Sequence, residues 1–153
     1  MMSSAANRPV LVVEDNAAHY EALVRAFQTT GCSRPLVRCC DGDAALEYLL
    51  GSVDGSGGNV GVLPALVLLD LNLPGTDGHE VLDIVKQNVW LKRVPVVVMT
   101  TTAHPPVVRR CYDSGANGFL KKPASYEGLI HAARLISDFW CDLNELCDES
   151  APR

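Results

Sequence analysis

Short unbroken apolar runs alternate along the chain with segments whose apolar residues recur every three or four positions. The clearest runs are Val10-Leu11-Val12-Val13, Ala65-Leu66-Val67-Leu68-Leu69 and Val96-Val97-Val98-Met99, with shorter ones over 36–40 and 118–121. Runs with no polar partner suit strands buried on both faces, as in a parallel sheet. The periodic segments predict helices. Asn16 caps the first, whose face is Tyr20, Leu23, Val24 and Phe27 and which Gly31 stops; Asp41-Gly42-Asp43 opens the second, carrying Ala44, Ala45, Leu46, Tyr48 and Leu49. A third runs from about 77 to 88 on Val81, Leu82, Ile84 and Val85, a fourth from about 105 to 114, and a long last one from about 125 to 147. Residues 51–61, rich in Gly and Ser and without periodicity, read as a surface loop. Five strand patterns each followed by a helical pattern predict an α/β domain, doubly wound, with right-handed crossovers and helices on both sheet faces.

With 153 residues, 48% of them hydrophobic and 20% charged, the chain reads as one globular domain over 1–153. A net charge of −5 supplies no basic field for a nucleic-acid backbone, so output is expected through protein contacts. No apolar stretch is long enough to span a bilayer and the start of the chain is too short and polar for a signal peptide, so a cytoplasmic, membrane-free protein is expected. The six cysteines show no CxxC or Cys/His ligand spacing and read as reduced packing or surface thiols; the histidines show no zinc-site spacing either.

Polar groups stand where four of the five apolar runs end. Glu14 and Asp15 follow the first, Asp70 the third, Thr100 the fourth and Lys122 the fifth. Parallel strands bring all of these to the carboxyl edge of the sheet, where such folds bind and react. Three crowded carboxylates repel one another unless a hard cation sits among them, which implies Mg²⁺ or Mn²⁺. A carboxylate can also attack phosphorus if the charge of the transferring group is neutralised, a task suited to the metal, the Lys122 ammonium and the Thr100 hydroxyl. A phosphate-cradling GxxxxGK[ST] loop is absent from the sequence.

Five stretches carry a resemblance to a known family: Leu11-Val12-Val13-Glu14-Asp15-Asn16, residues 68–78 (LLDLNLPGTDG), Pro95-Val96-Val97-Val98-Met99-Thr100-Thr101, Gly115-Ala116-Asn117-Gly118-Phe119 and Lys122-Pro123. In that order they resemble the receiver domain of two-component response regulators, and the 70–78 loop with Phe139-Trp140 is similar to the small stand-alone regulators paired with phytochrome histidine kinases. The resemblance implies a flavodoxin-like fold with strand order 2-1-3-4-5. It also implies a phosphoacceptor at Asp70, with Mg²⁺ held by Asp15, Asp70 and the Asn72 main-chain carbonyl, Glu14 acting directly or through water. It further implies a switch in which Thr100 moves toward the phosphoryl group and Phe119 turns inward. Departures from the common pattern are Glu14 for Asp, Phe119 for Tyr, and His19 where phytochrome-type relatives often carry Asp. His19 reads as a solvated helix residue, with a kinase contact as the alternative.

In the last helix Leu129, Ala133, Ile136, Trp140, Leu143 and Cys147 form one stripe. A receiver core needs only its first half, so Phe139, Trp140 and Leu143 predict a homodimer interface, the alternative being that this extension folds back on its own domain. The expected function is thus a phosphoacceptor signalling protein and not a turnover enzyme. Two other classes compete: a haloacid dehalogenase-type phosphohydrolase, which wants a second Asp where Asn72 stands and a nucleophile after the first strand, and a receiver-like module that is never phosphorylated.

Overall fold

The computed structural model describes residues 7–55 and 62–147. Five strands, β1 (Val10–Val13), β2 (Leu36–Cys39), β3 (Leu66–Leu69), β4 (Val96–Thr100) and β5 (Gly118–Lys121), form one parallel sheet in the order β2-β1-β3-β4-β5. The helices are α1 (Ala17–Gln28), α2 (Gly42–Asp54), α3 (Gly78–Gln87), α4 (Pro105–Asp113) and α5 (Tyr126–Ile136). Every residue of β1, β3 and β4 is buried, as their unbroken apolar runs require.

Alternation along the strands divides the core in two. Leu11, Val13, Val67, Leu69, Val96 and Val98 point to one face and pack under α2, α3 and α4 with Leu49, Leu82 and Cys111. Val10, Val12, Leu66, Leu68, Val97 and Met99 point to the other, under α1 and α5 with Phe27, Ala133 and Ile136. This is the doubly wound arrangement.

Side chains of the βα loops begin most of the helices. Asn16, Asp41, Asp77 and Ser125 accept hydrogen bonds from the backbone N–H groups of His19, Ala44, Glu80 and Gly128 at 2.7–3.0 Å. Each such cap contributes about 1 kcal/mol and fixes the level at which its helix leaves the sheet edge. α4 instead starts on Pro105, whose missing N–H costs nothing at that position.

Two expectations are corrected. α2 continues to Asp54, so Gly51, Ser52, Val53 and Asp54 of the expected loop are helical; Gly51 and Ser52 are buried, and Gly55 ends the helix at φ 85°. Residues 56–61 of that loop lie outside the described ones.

The last helix is also shorter than expected. α5 passes at Ser137 into a π-helical segment, Ser137–Leu143, closed by Asn144 N–H donating to the Phe139 carbonyl at 2.7 Å. The wider i→i+5 turn breaks the 3.6-residue stripe. Trp140 folds back onto the second core face in edge contact with Phe139, ring centroids 4.7 Å apart, while Leu143 is 70% exposed. Trp140 is therefore a packing residue of its own chain, and the exposed apolar groups of this region are Leu135, Phe139 and Leu143.

Candidate functional site

The ladder continues one residue past β3, where Asp70 N–H donates to the Val13 carbonyl at 3.1 Å. That bond sets the Asp70 carboxyl beside Glu14, the first residue after β1. On the other side, Lys122 N–H donates to the Thr100 carbonyl at 2.7 Å and places the lysine against the end of β4. Gly78 completes the frame: a Cβ there would lie 2.4 Å from the Asp70 carbonyl oxygen, so only glycine lets α3 start this close.

Within this frame Asp70, 6% exposed, is engaged on both oxygens. Oδ2 accepts from Lys122 Nζ at 2.8 Å; Oδ1 accepts from the Thr100 hydroxyl at 3.2 Å and from Asn72 N–H at 3.1 Å. Lys122 also donates to both oxygens of Glu14 at 3.1 Å. Asn72 Nδ2 reaches the Thr100 hydroxyl oxygen at 3.4 Å.

One lysine thus serves two buried carboxyls, and their acidities diverge. Burial pushes Glu14 upward, and its hydrogen bond with Asp70 adds to this against the pull of Lys122. Burial acts upward on Asp70 as well, but hydrogen bonds from Glu14, Lys122 and the Asn72 backbone outweigh it and hold the carboxyl below its usual range. Lys122 is raised: burial opposes its charge, and Asp70 and Glu14 more than compensate. Of the two carboxyls Asp70 is the stronger acid and Glu14 the weaker.

Glu14, Asp15 and Asp70 each offer a carboxylate oxygen, all within 4.8 Å of one another, the one such group of three among the described residues. An all-oxygen acidic set of this kind fits a hard divalent cation such as Mg²⁺ or Mn²⁺. An open cavity of about 470 Å³ adjoins the carboxyls, bounded by His19 and Lys122 and, on its apolar side, by Leu23, Leu68, Met99 and Leu129.

Two residues of the site escaped the sequence reading. His19, placed by the first turn of α1, puts Nδ1 3.0 Å from Glu14 Oε1 and 3.4 Å from Lys122 Nζ, so that this nitrogen either donates to the carboxylate or accepts from the ammonium. Arg38 reaches from β2 to the Glu14 and Asp15 carbonyls at 3.0 Å and fixes the turn that carries both acids. Strand order alone brings Arg38 to these carbonyls, whereas His19 meets Glu14 locally, five residues on across the β1–α1 turn. Phe119 stands apart. It pairs with Val98 in register and packs, half-buried, against the first core face.

Residues 10–134 match the response regulator receiver domain. The chain belongs to that family. The receiver is 42% identical over 135 residues to the probable methanogenesis regulatory protein FilR2 of Methanothrix harundinacea, covering 88% of this chain and 84% of that protein. It is 37% identical over 145 residues to response regulator Rcp1 of Synechocystis, covering 92% and 95%. The solved Mn²⁺-bound form of Rcp1 superposes with a TM-score of 0.81 at 34% identity, covering 92% of this chain and 99% of that one. The phosphorylated cyanobacterial phytochrome response regulator RcpA superposes with 0.83 at 32% identity over 93% and 99%.

The receiver therefore has the expected flavodoxin-like fold and strand order and works in two-component phosphorelay signalling. A haloacid dehalogenase reading is not favoured: Asn72 stands where that chemistry needs a second Asp, and Asp70 follows the third strand. Among the described residues no helix is long and apolar enough to cross a membrane.

Proposed function

We propose that Asp70 is the phosphoacceptor of a Mg²⁺-dependent signalling switch supplied by a histidine kinase of the phytochrome class. The observation that carries this is the triple engagement of Asp70, as an anion, by Lys122, Thr100 and the Asn72 backbone at the strand edge beside two further carboxyls. A carboxylate oxygen of Asp70 bonds to phosphorus as the N–P bond of the kinase phosphohistidine breaks, giving an acyl phosphate and a neutral imidazole. The cavity bounded by His19 and Lys122 gives the ring its approach.

Asp15, Asp70 and the Asn72 carbonyl, with Glu14 directly or through water, would hold the Mg²⁺, which neutralises charge on the phosphoryl oxygens. Lys122 turns from the Glu14–Asp70 pair to the new phosphoryl oxygens. The Thr100 hydroxyl, already donating to Asp70, follows the charge, and the space it leaves on the α4 side lets Phe119 turn inward. The protein is a reversible charge acceptor and carries out no turnover chemistry on a free substrate. Its phytochrome assignment rests on likeness to Rcp1 and RcpA.

Residues 1–153 act as one receiver unit, and output leaves through contacts of the C-terminal helix. Leu135, Phe139 and Leu143 form an exposed apolar group that suits a second copy of the chain. The decisive experiment is transfer of radiolabel from a phosphorylated phytochrome-type kinase: wild-type chain acquires label in Mg²⁺ and Asp70→Asn does not. Equal labelling of the variant refutes the assignment.

A further inference from the structure

We propose that His19 is a positioning residue of the phosphorylated state, holding the Glu14 carboxyl in place when Lys122 turns from Glu14 to the new phosphoryl group. The inference rests on the Asp70 reading and adds to it a side chain outside the acids, threonine and lysine already assigned.

The contact is prepared from both ends. Glu14 N–H donates to the Cys39 carbonyl at 3.0 Å, and Arg38 donates to the Glu14 and Asp15 carbonyls at 3.0 Å, so the turn after β1 is fixed. His19 N–H donates to the Asn16 side chain at 3.0 Å, which fixes the first turn of α1. Between these anchors His19 Nδ1 lies 3.0 Å from Glu14 Oε1, and 3.4 Å from Lys122 Nζ, so ring and ammonium meet at the same carboxyl. The imidazole side chain is 55% exposed and the Glu14 side chain 6%, which sets the ring at the mouth of the site, over a carboxyl that water hardly reaches.

In the resting chain this contact is redundant, because Lys122 donates to both Glu14 oxygens at 3.1 Å. Phosphorylation changes that. Besides His19, the groups bonded to Glu14 are Lys122 and Asp70; the first is drawn to the phosphoryl oxygens and the second is the group modified. One oxygen of Glu14 then serves the Mg²⁺, directly or through water, and Oε1 keeps His19. A buried carboxyl oxygen left without a partner costs the desolvation of that group, which is more than a formed hydrogen bond returns. A single ring nitrogen meets the need in either form of the carboxyl: as N–H it donates to the carboxylate, and as a bare nitrogen it accepts from the carboxylic acid. The role therefore needs no change in the charge of the ring.

The test is calorimetric titration of the full chain with beryllofluoride, a mimic of an aspartyl phosphoryl group, in saturating Mg²⁺. His19→Ala is expected to bind about tenfold more weakly than wild type, the effect of one hydrogen bond at a buried carboxyl. His19→Asn, whose amide stands as many bonds from the backbone as Nδ1 and can both donate and accept, is expected to recover most of that affinity. Urea unfolding of the resting chains, without beryllofluoride, is expected to stay close to wild type for both variants, since Lys122 still serves Glu14; a merely structural role would lower it. The proposal is overturned if His19→Ala binds beryllofluoride as wild type does, if His19→Asn binds as weakly as His19→Ala, or if the resting His19→Ala chain is destabilised to the same degree. An effect confined to transfer from the kinase, with beryllofluoride affinity unchanged, overturns it as well. A wild type that binds no beryllofluoride in Mg²⁺ overturns the Asp70 reading and this role together, whereas equal binding by wild type and His19→Ala removes the role of His19 alone.

Discussion

Replacing Lys122 with methionine removes the only cation hydrogen-bonded to Glu14 and Asp70 among the described contacts, other than a protonated His19. The two carboxyls are almost fully buried, with oxygens within 4.8 Å of each other. At an effective dielectric constant near 20, two like charges at that separation repel by about 3.5 kcal/mol. The pair can instead keep a proton on Glu14, which at pH 7 costs about 3.5 kcal/mol for a carboxyl of ordinary pKa. Either route gives a loss of about 3 kcal/mol in chelator at pH 7. At pH 5 the protonation route costs only about 1 kcal/mol, and the loss shrinks with it.

The sign follows from linkage. A carboxyl whose folded pKa lies above its unfolded value binds its extra proton in the folded state, so stability is kept at low pH and lost as pH rises through the folded value. Glu14 is already raised in wild type, and the variant deepens that dependence. Mg²⁺ is expected to narrow the gap by supplying the missing positive charge, since a ligand at 100 times its Kd adds about 2.7 kcal/mol to the chain that binds it. Urea unfolding at pH 5 and pH 7, with chelator and with Mg²⁺, reads all of this. The reasoning fails if the loss at pH 7 is under about 1 kcal/mol, or if it is the same at both pH values.

Three other perturbations test the frame around the site. Gly78→Ala drives a Cβ against the Asp70 carbonyl and Leu71 Cα and is expected to cost about 1–3 kcal/mol in urea unfolding and to slow phosphorylation; wild-type values for both contradict the close approach. Lys86→Met removes an ammonium that donates to the Lys92 and Val94 carbonyls and to the Asn117 amide oxygen at 2.8–3.1 Å, with an expected loss of about 1–3 kcal/mol and no change in Mg²⁺ affinity by titration. Phe139→Glu with Leu143→Glu is expected to turn a wild-type dimer into a folded monomer by sedimentation; a wild-type monomer at high concentration removes the dimer proposal. Trp140→Glu does not serve that test, because Trp140 packs on its own core.

The strands were legible because burial on both faces leaves no polar residue in a run, and each observed strand lies within one residue of its expected bounds. Asp70, Thr100 and Lys122 were legible for the same reason, as the first polar groups beyond those runs. The end of α2 was not, because Gly51 and Ser52 carry loop composition while burial and the Ser52 hydroxyl bond to the Leu49 carbonyl hold them helical. The π-turn was hidden by a periodicity that assumes 3.6 residues per turn throughout. Arg38 joins the site through contacts between β2 and the end of β1, and His19 reaches Lys122 only through the fold, although its contact with Glu14 spans just five residues. The apolar stripe likewise could not separate Trp140, which turns inward, from Phe139 and Leu143, which do not.

The central claim is that Asp70 carries the phosphoryl group. Incubating the chain with Mg²⁺ and acetyl phosphate and measuring intact mass tests it most directly. The account predicts one added phosphoryl group on wild type, acid-stable and base-labile, mapped by borohydride reduction to Asp70, and absent in chelator and in Asp70→Asn. A phosphoryl group on any other residue, or an unmodified wild type beside a modified Asp70→Asn, would contradict it.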